Sequence, residues 1–192
     1  MNQSDELKVE NSMDLLLVLL YAPSKNGQYG EPIEGITRLQ KLFFLLQQGK
    51  GPQTIVQIAK DCGYQPYKMG PFSWELTENL NDLIAAGLVK TERLRYYISD
   101  DFDGDDSSLC EDILPEQKQL KQVESFKYLL TDYGMNVAKQ LWDNLPKKDQ
   151  VGLAEFKVFF GSLTLRQLLI FVYEQFPKYT DKSEIKHKLG LA

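Results

Sequence analysis

The chain has 192 residues, 43% of them hydrophobic and 26% charged, with a net charge of −5. That length fits one domain, or one domain with a small extension, and is enough to bury a core without disulfides or metals. The longest apolar run, Leu15 to Ala22, falls well short of the ~20 residues of a spanning helix. The opening residues are acidic and polar, unlike a signal or transit peptide, so the expectation is a cytoplasmic protein with no membrane contact.

The first element is a helix over 13–22, capped by Ser12, apolar nearly all round and therefore buried, and stopped at Pro23. Residues 24–34, with Gly27, Gly30 and Pro32, read as a loop. Thr37 and Gln40 fit a capping box for a helix that runs to about Gln48 and ends at Gly49. Leu39, Leu42, Phe43 and Leu46 form its core face, which puts Arg38 and Lys41 on the other side. Residues 53–62 suit another short helix. Tyr64 to Phe72 contains Pro66 and Pro71 and reads as an extended connection.

Ser73 is the expected cap of the next helix, which buries Leu76, Leu80, Leu83 and Ile84 and stops near Gly87. Its outer face carries Glu75, Glu78 and Asp82. Residues 88–98 read as strand, 100–112 as an acidic loop, 115–124 as helix and 126–130 as a returning strand. Thr131 should cap a helix through Leu145 whose first turn is weakened by Gly134. A helix over 147–161 follows. A second capping box, Thr164 with Gln167, opens a helix that Pro177 ends, and a short helix fits 183–189.

This order predicts a mainly α protein with a small β-hairpin, an α+β chain. The expected organisation is a winged-helix-like domain over 1–134 with an acidic insert at about 100–124, then a C-terminal helical extension over 135–192 packed on it. The helix at 72–86 takes the recognition-helix position, which in DNA readers carries Arg, Lys, Asn or Gln. Here residues 70–86 hold three acids and no base, and 100–124 hold nine acids against two bases. Bases gather instead at 35–69, five against one acid, and around 90–95. Acid facing phosphate is repelled, so the usual docking pose is unfavourable.

The side-chain inventory argues against an enzyme. Cys62 and Cys110 are far apart in sequence, and the single histidine, His187, lies in the tail. There is no phosphate-cradling glycine loop, and carboxylates cluster only at Asp100–Asp106. No catalytic residue, metal ligand or cofactor site is therefore expected.

Three stretches carry a resemblance. Gly35-Ile-Thr-Arg-Leu-Gln-Lys-Leu-Phe-Phe-Leu-Leu46, Pro66-Tyr-Lys-Met-Gly-Pro-Phe-Ser73 with Glu75-Leu76, and Leu130-Thr-Asp-Tyr-Gly134 occur in this order. They resemble motifs of the YwgA-like prokaryotic proteins and, more distantly, of the Panacea (SocA-like) antitoxin domain. The tail Phe176 to Ile185 is similar to the ending of such chains. Met69 stands where an aromatic is common in the second motif. The resemblance implies a winged-helix-like fold and a place beside toxin–antitoxin or phage-defence genes.

Two readings of function follow. The first is a non-enzymatic, antitoxin-like interaction protein or component of an antiviral defence system. Its partner would be a toxin, an effector or a second copy, met by the acidic face of Glu75, Glu78 and Asp82 or by the surplus aromatics of the last helices. The second is a DNA-binding transcription regulator using bases outside that helix. Candidate nucleic-acid or partner contacts are Arg38, Lys41, Tyr67, Lys68, Arg93, Arg95 and Tyr97. For each there is a plainer explanation: a solvated helix face, a structural turn, or a strand with one buried side.

Overall fold

The computed structural model describes residues 7–59, 62–99 and 120–191. Helix α1 spans Ser12–Tyr21, and every residue from Leu15 to Tyr21 is buried. Its cap is Asn11 rather than Ser12: the Asn11 carboxamide oxygen accepts from the Met13 and Asp14 amides at 2.9 and 3.0 Å. Ser12 instead accepts a 2.7 Å bond from Asn79, joining α1 to a later helix.

Within the expected loop, Ile33–Glu34 forms a short strand, β1. Gly35 then turns the chain with φ 81° into α2, Ile36–Leu45. The helix has no side-chain cap, so Thr37 and Gln40 do not form the expected capping box. The backbone turn at Gly35 has already started the helix ahead of Thr37, and Gln40 bonds elsewhere. The π-turn Leu46–Lys50 extends α2, with Gly49 left-handed, and α3 follows over Gln53–Ala59.

Residues 65–72 are a hairpin rather than a plain connection. Strand β2, Gln65–Tyr67, pairs antiparallel with β3, Gly70–Phe72. Pro66 lies opposite Pro71, and since neither ring has an N–H, that rung is one that needs no hydrogen bond. Gly70 has φ 83°, and a Cβ there would meet the Tyr173 ring at 2.6 Å, so the turn needs glycine for its conformation and for its neighbour.

Helix α4, Trp74–Ala85, is capped as expected by the Ser73 hydroxyl, which accepts from the Leu76 amide at 3.0 Å. Strands β4, Val89–Ser99, and β5, Leu120–Leu130, form a long antiparallel pair, and β1 joins the free side of β5. The expected helix at 115–124 is corrected: from Leu120 onward this stretch is strand. Lys, Gln and Glu favour helix locally, but pairing with β4 decides its state. The acidic stretch 100–112 lies outside the described residues.

Helices α5 (Asp132–Asp143), α6 (Lys147–Gly161) and α7 (Leu165–Gln175) complete the chain. Thr131 caps α5, and Thr164 with Gln167 makes both bonds of its capping box on α7. The tail holds a 3-10 turn at His187–Leu189 rather than a helix over 183–189. It docks on its own chain: Ile185 and Leu189 are buried, and the Glu184 amide donates to the Lys68 carbonyl at 2.8 Å.

The described protein is thus mainly helical, with one three-stranded antiparallel sheet in the order β1-β5-β4 and one two-stranded hairpin. A single apolar cluster takes residues from every one of α1–α7. Helix α1 is central, packing on α3, α4, α5 and β5. Among the described residues no single helix is long and apolar enough to cross a membrane.

Candidate functional site

Two polar side chains of α2 bind the hairpin and α4 to the core. The Gln40 carboxamide accepts from the Ser73 amide at 3.0 Å and donates to the Ser73 carbonyl at 2.8 Å and the Thr77 hydroxyl at 3.0 Å. Lys41 donates to the Pro71 carbonyl at 2.9 Å. The expected outward position of Lys41 is corrected: it is only 1% exposed. The helix is walled by β3 on one side and α7 and α6 on others, so there is little open face for a charge to occupy. Burial alone pushes the Lys41 ammonium down to about 7, because desolvation disfavours its charged form.

Lys41 lines a cleft of about 400 Å³. Its walls are the start of α2 (Ile36, Thr37), the hairpin (Tyr67 to Phe72) and the tail (Glu184, Ile185, Lys188). The Thr37 hydroxyl lies 3.7 Å from the Met69 sulfur, and Lys68 pairs with Glu184 at 3.3 Å across the rim. The structure therefore gathers Lys41, Tyr67 and Lys68 from the candidate set around one space.

Next to this cleft lies an exposed aromatic cluster. Trp74 is 58% exposed and stands edge-on to Phe72 at 4.8 Å and to Tyr67 at 5.5 Å between ring centroids. Tyr67 and Phe72 are 5.3 Å apart. Glu75, Glu78 and Asp82 are all exposed on the helix that Trp74 begins.

The other candidates lie apart from this grouping. Arg38 is half-buried and donates to the Leu163 carbonyl at 2.6 Å, so it ties α2 to the turn between α6 and α7. It lines a second cleft of about 210 Å³ together with Lys157, Glu31 and Ser24. Lys157 is buried and donates to the Leu20 and Ala22 carbonyls at 2.9 and 2.6 Å, closing the C-terminal end of α1. Its ammonium is pushed down to about 7, mainly by burial, with Glu31 acting in the opposite direction.

Arg93 and Arg95 are exposed on β4 and both reach Glu124 on β5, at 3.3 and 3.5 Å. Tyr97 stands opposite Gln122 in the strand register, and its side chain lies outside the described residues. Of the C-terminal aromatics, Phe160 and Tyr173 are buried, Phe171 and Phe176 half-buried, and Phe159 is 59% exposed.

Reading the sequence missed Trp74, Thr37, Lys157 and Ile185 as site residues. Trp74 was visible as an aromatic on the first turn of a capped helix, where it cannot reach that helix's own buried stripe. The tail was legible as a motif from Phe176 to Ile185, but its docking was not, since that depends on Tyr173, whose hydroxyl is 2.9 Å from that of Ser183. Among the described residues no three His, Cys, Asp or Glu side chains gather as a metal-ligand set. Compared with family models, curated proteins and solved structures, the chain shows no match.

Proposed function

We propose that this chain is a non-enzymatic, winged-helix-like interaction protein that acts by binding another protein. The docking face is the Tyr67–Phe72–Trp74 cluster with the acidic face of α4 beside it. The observation that carries the reading is the exposed tryptophan, braced by two other rings and flanked by Glu75 and Glu78. Trp and Tyr dominate the energetics of protein interfaces because they bury large rigid surfaces at low entropic cost. A partner that fits has an apolar pocket rimmed by lysine or arginine.

The winged-helix part of the reading is supported by element order. Taking α1, β1, α2, α4, β4 and β5 in turn, the chain runs helix, strand, helix, helix, strand, strand, and the sheet order β1-β5-β4 places the first strand beside the last. The hairpin and α3 are additions between the second and third of those helices. Helix α4 then holds the recognition position but presents acid, and Arg93 and Arg95 are engaged by Glu124, which disfavours the DNA-regulator alternative. The resemblance to the Panacea antitoxin domain is in keeping with a toxin or defence effector as that partner.

The test is affinity capture from the native host at physiological salt, with and without nuclease, using wild type, Trp74→Ala, Glu78→Lys and Phe159→Ala. Phe159 is the control, an exposed ring on α6 outside the proposed face. One nuclease-insensitive protein should be captured by wild type and by the control. Trp74→Ala should weaken its binding roughly 30-fold, the loss typical of a central interface tryptophan, and Glu78→Lys should weaken it as well. Undiminished capture by Trp74→Ala, or enrichment of one DNA region that salt removes, would overturn the reading.

A further inference from the structure

The cleft around Lys41 shares Tyr67 and Phe72 with the aromatic cluster, but its buried lysine gives it a chemistry of its own. We propose that it is a binding site for a small organic carboxylate, whose apolar body lies against Ile36, Met69 and Ile185 and whose charge pairs with the Lys41 ammonium. The volume of about 400 Å³ lies in the range of small-molecule sites, and the mixture of apolar walls with a few polar groups is typical of them.

Lys41 supplies the recognition. An ammonium has three N–H donors, and the Pro71 carbonyl takes one. Among the described residues no carboxylate pairs with Lys41, and desolvation is the cause acting on its ionisation. A buried cation without an anion is costly to keep, and a bond to one carbonyl could be made by a neutral amide at less cost. An incoming carboxylate provides the missing counter-charge and accepts the remaining donors. One buried ammonium matches one negative charge, which favours a carboxylate over a doubly charged phosphate. Of the rim charges, Lys68 is already paired with Glu184.

This inference stands apart from the protein-binding reading, because it is tested on the purified full-length chain with no partner. The probes are hexanoate, 4-phenylbutyrate and indole-3-acetate, each measured by titration calorimetry beside its uncharged amide. At least one acid should bind roughly tenfold more tightly than its amide. Lys41→Met should abolish that preference, while Lys68→Gln and Lys188→Gln keep it. Amide chemical-shift mapping on wild type needs no variant: the bound acid should move Thr37, Gly70 and Ile185 and leave Gly161 and Ser162 of the second cleft in place. Three outcomes overturn the proposal. These are acids and amides of equal affinity, shifts centred elsewhere, and no binding by any of the three acids below about 10 mM.

Discussion

A Cβ on Gly134 would lie 1.9 Å from the Leu88 carbonyl oxygen. That oxygen cannot easily retreat, because it also accepts from the Thr131 amide at 3.0 Å. Helix α5 therefore starts against the beginning of β4 at a separation only glycine allows. Gly134→Ala should destabilise the protein by about 3 kcal/mol, which for a chain of this length lowers Tm by roughly 6–12 °C. Gly161→Ala is the matched control. Its Cβ meets only the Lys157 side chain, at 3.9 Å, so the gain in helix propensity should leave Tm equal or slightly higher. Equal thermal shifts for the two variants would show that the Leu88 contact does not constrain α5. From sequence Gly134 was legible only as a weak point in a helix, because spacing along one element carries nothing about the carbonyl that faces it. Lys41 was misplaced for the same reason. Its helical angle puts it off the Leu39–Leu42–Phe43–Leu46 face, and only the hairpin packed against it makes that side an interior too.

At the scale of elements, α2 works as a bracket. Arg38 holds the turn between α6 and α7 at Leu163, Gln40 holds the cap of α4, and Lys41 holds β3 at Pro71. The run Thr37-Arg-Leu-Gln-Lys-Leu42 thus has a structural explanation for each of three successive polar side chains within it. Gln40→Met keeps most of the volume and removes the bonds. It leaves the fully buried Ser73 amide without its side-chain partner, while the Ser73 carbonyl keeps the Thr77 hydroxyl at 3.1 Å, so stability to urea should fall by about 1–2 kcal/mol with the m-value unchanged. A loss below ~0.5 kcal/mol would mean that water replaces the carboxamide. Elements whose signals are local were legible. Helices α4, α5 and α7 could be read from their caps, including both bonds of the Thr164 capping box, and α1 and α6 from an apolar run and a flanking proline, although the α1 cap is Asn11 rather than Ser12. Elements defined by their partners were not. The hairpin at 65–72 was hidden by prolines that tolerate several extended shapes, and the first part of β5 by side chains that favour helix until β4 pairs with them.

Two lysines, Lys41 and Lys157, are buried inside a chain of net charge −5, each bonded to backbone carbonyls. Both are pushed down from 10.5 to about 7, which makes the stability of the whole molecule depend on pH in a direction opposite to that of a lysine whose pKa an ion pair has raised. Below about 7 the native and unfolded states both carry the protons, and the full cost of burying two ammonium groups is present. Between about 7 and 10.5 the unfolded chain holds protons that the native lysines have released, so unfolding takes up protons. Stability then rises with pH, by roughly 1.4 kcal/mol per pH unit for each lysine. The tyrosines set the upper limit. Burial raises the phenols of Tyr21, Tyr64 and Tyr173 above their ordinary 10.0, so above that pH the unfolded chain loses phenol protons first and stability falls again. The expected curve therefore climbs from neutral pH and turns over near 10. Urea unfolding at pH 7, 8 and 9 measures the climb through a rising midpoint. Lys41→Met and Lys157→Met should each remove about half of the slope, and the double variant nearly all of it. A midpoint that stays level or falls from pH 7 to 9 would show that both ammonium groups remain charged in the native state, held by solvent or counter-ions that reach them through the two clefts.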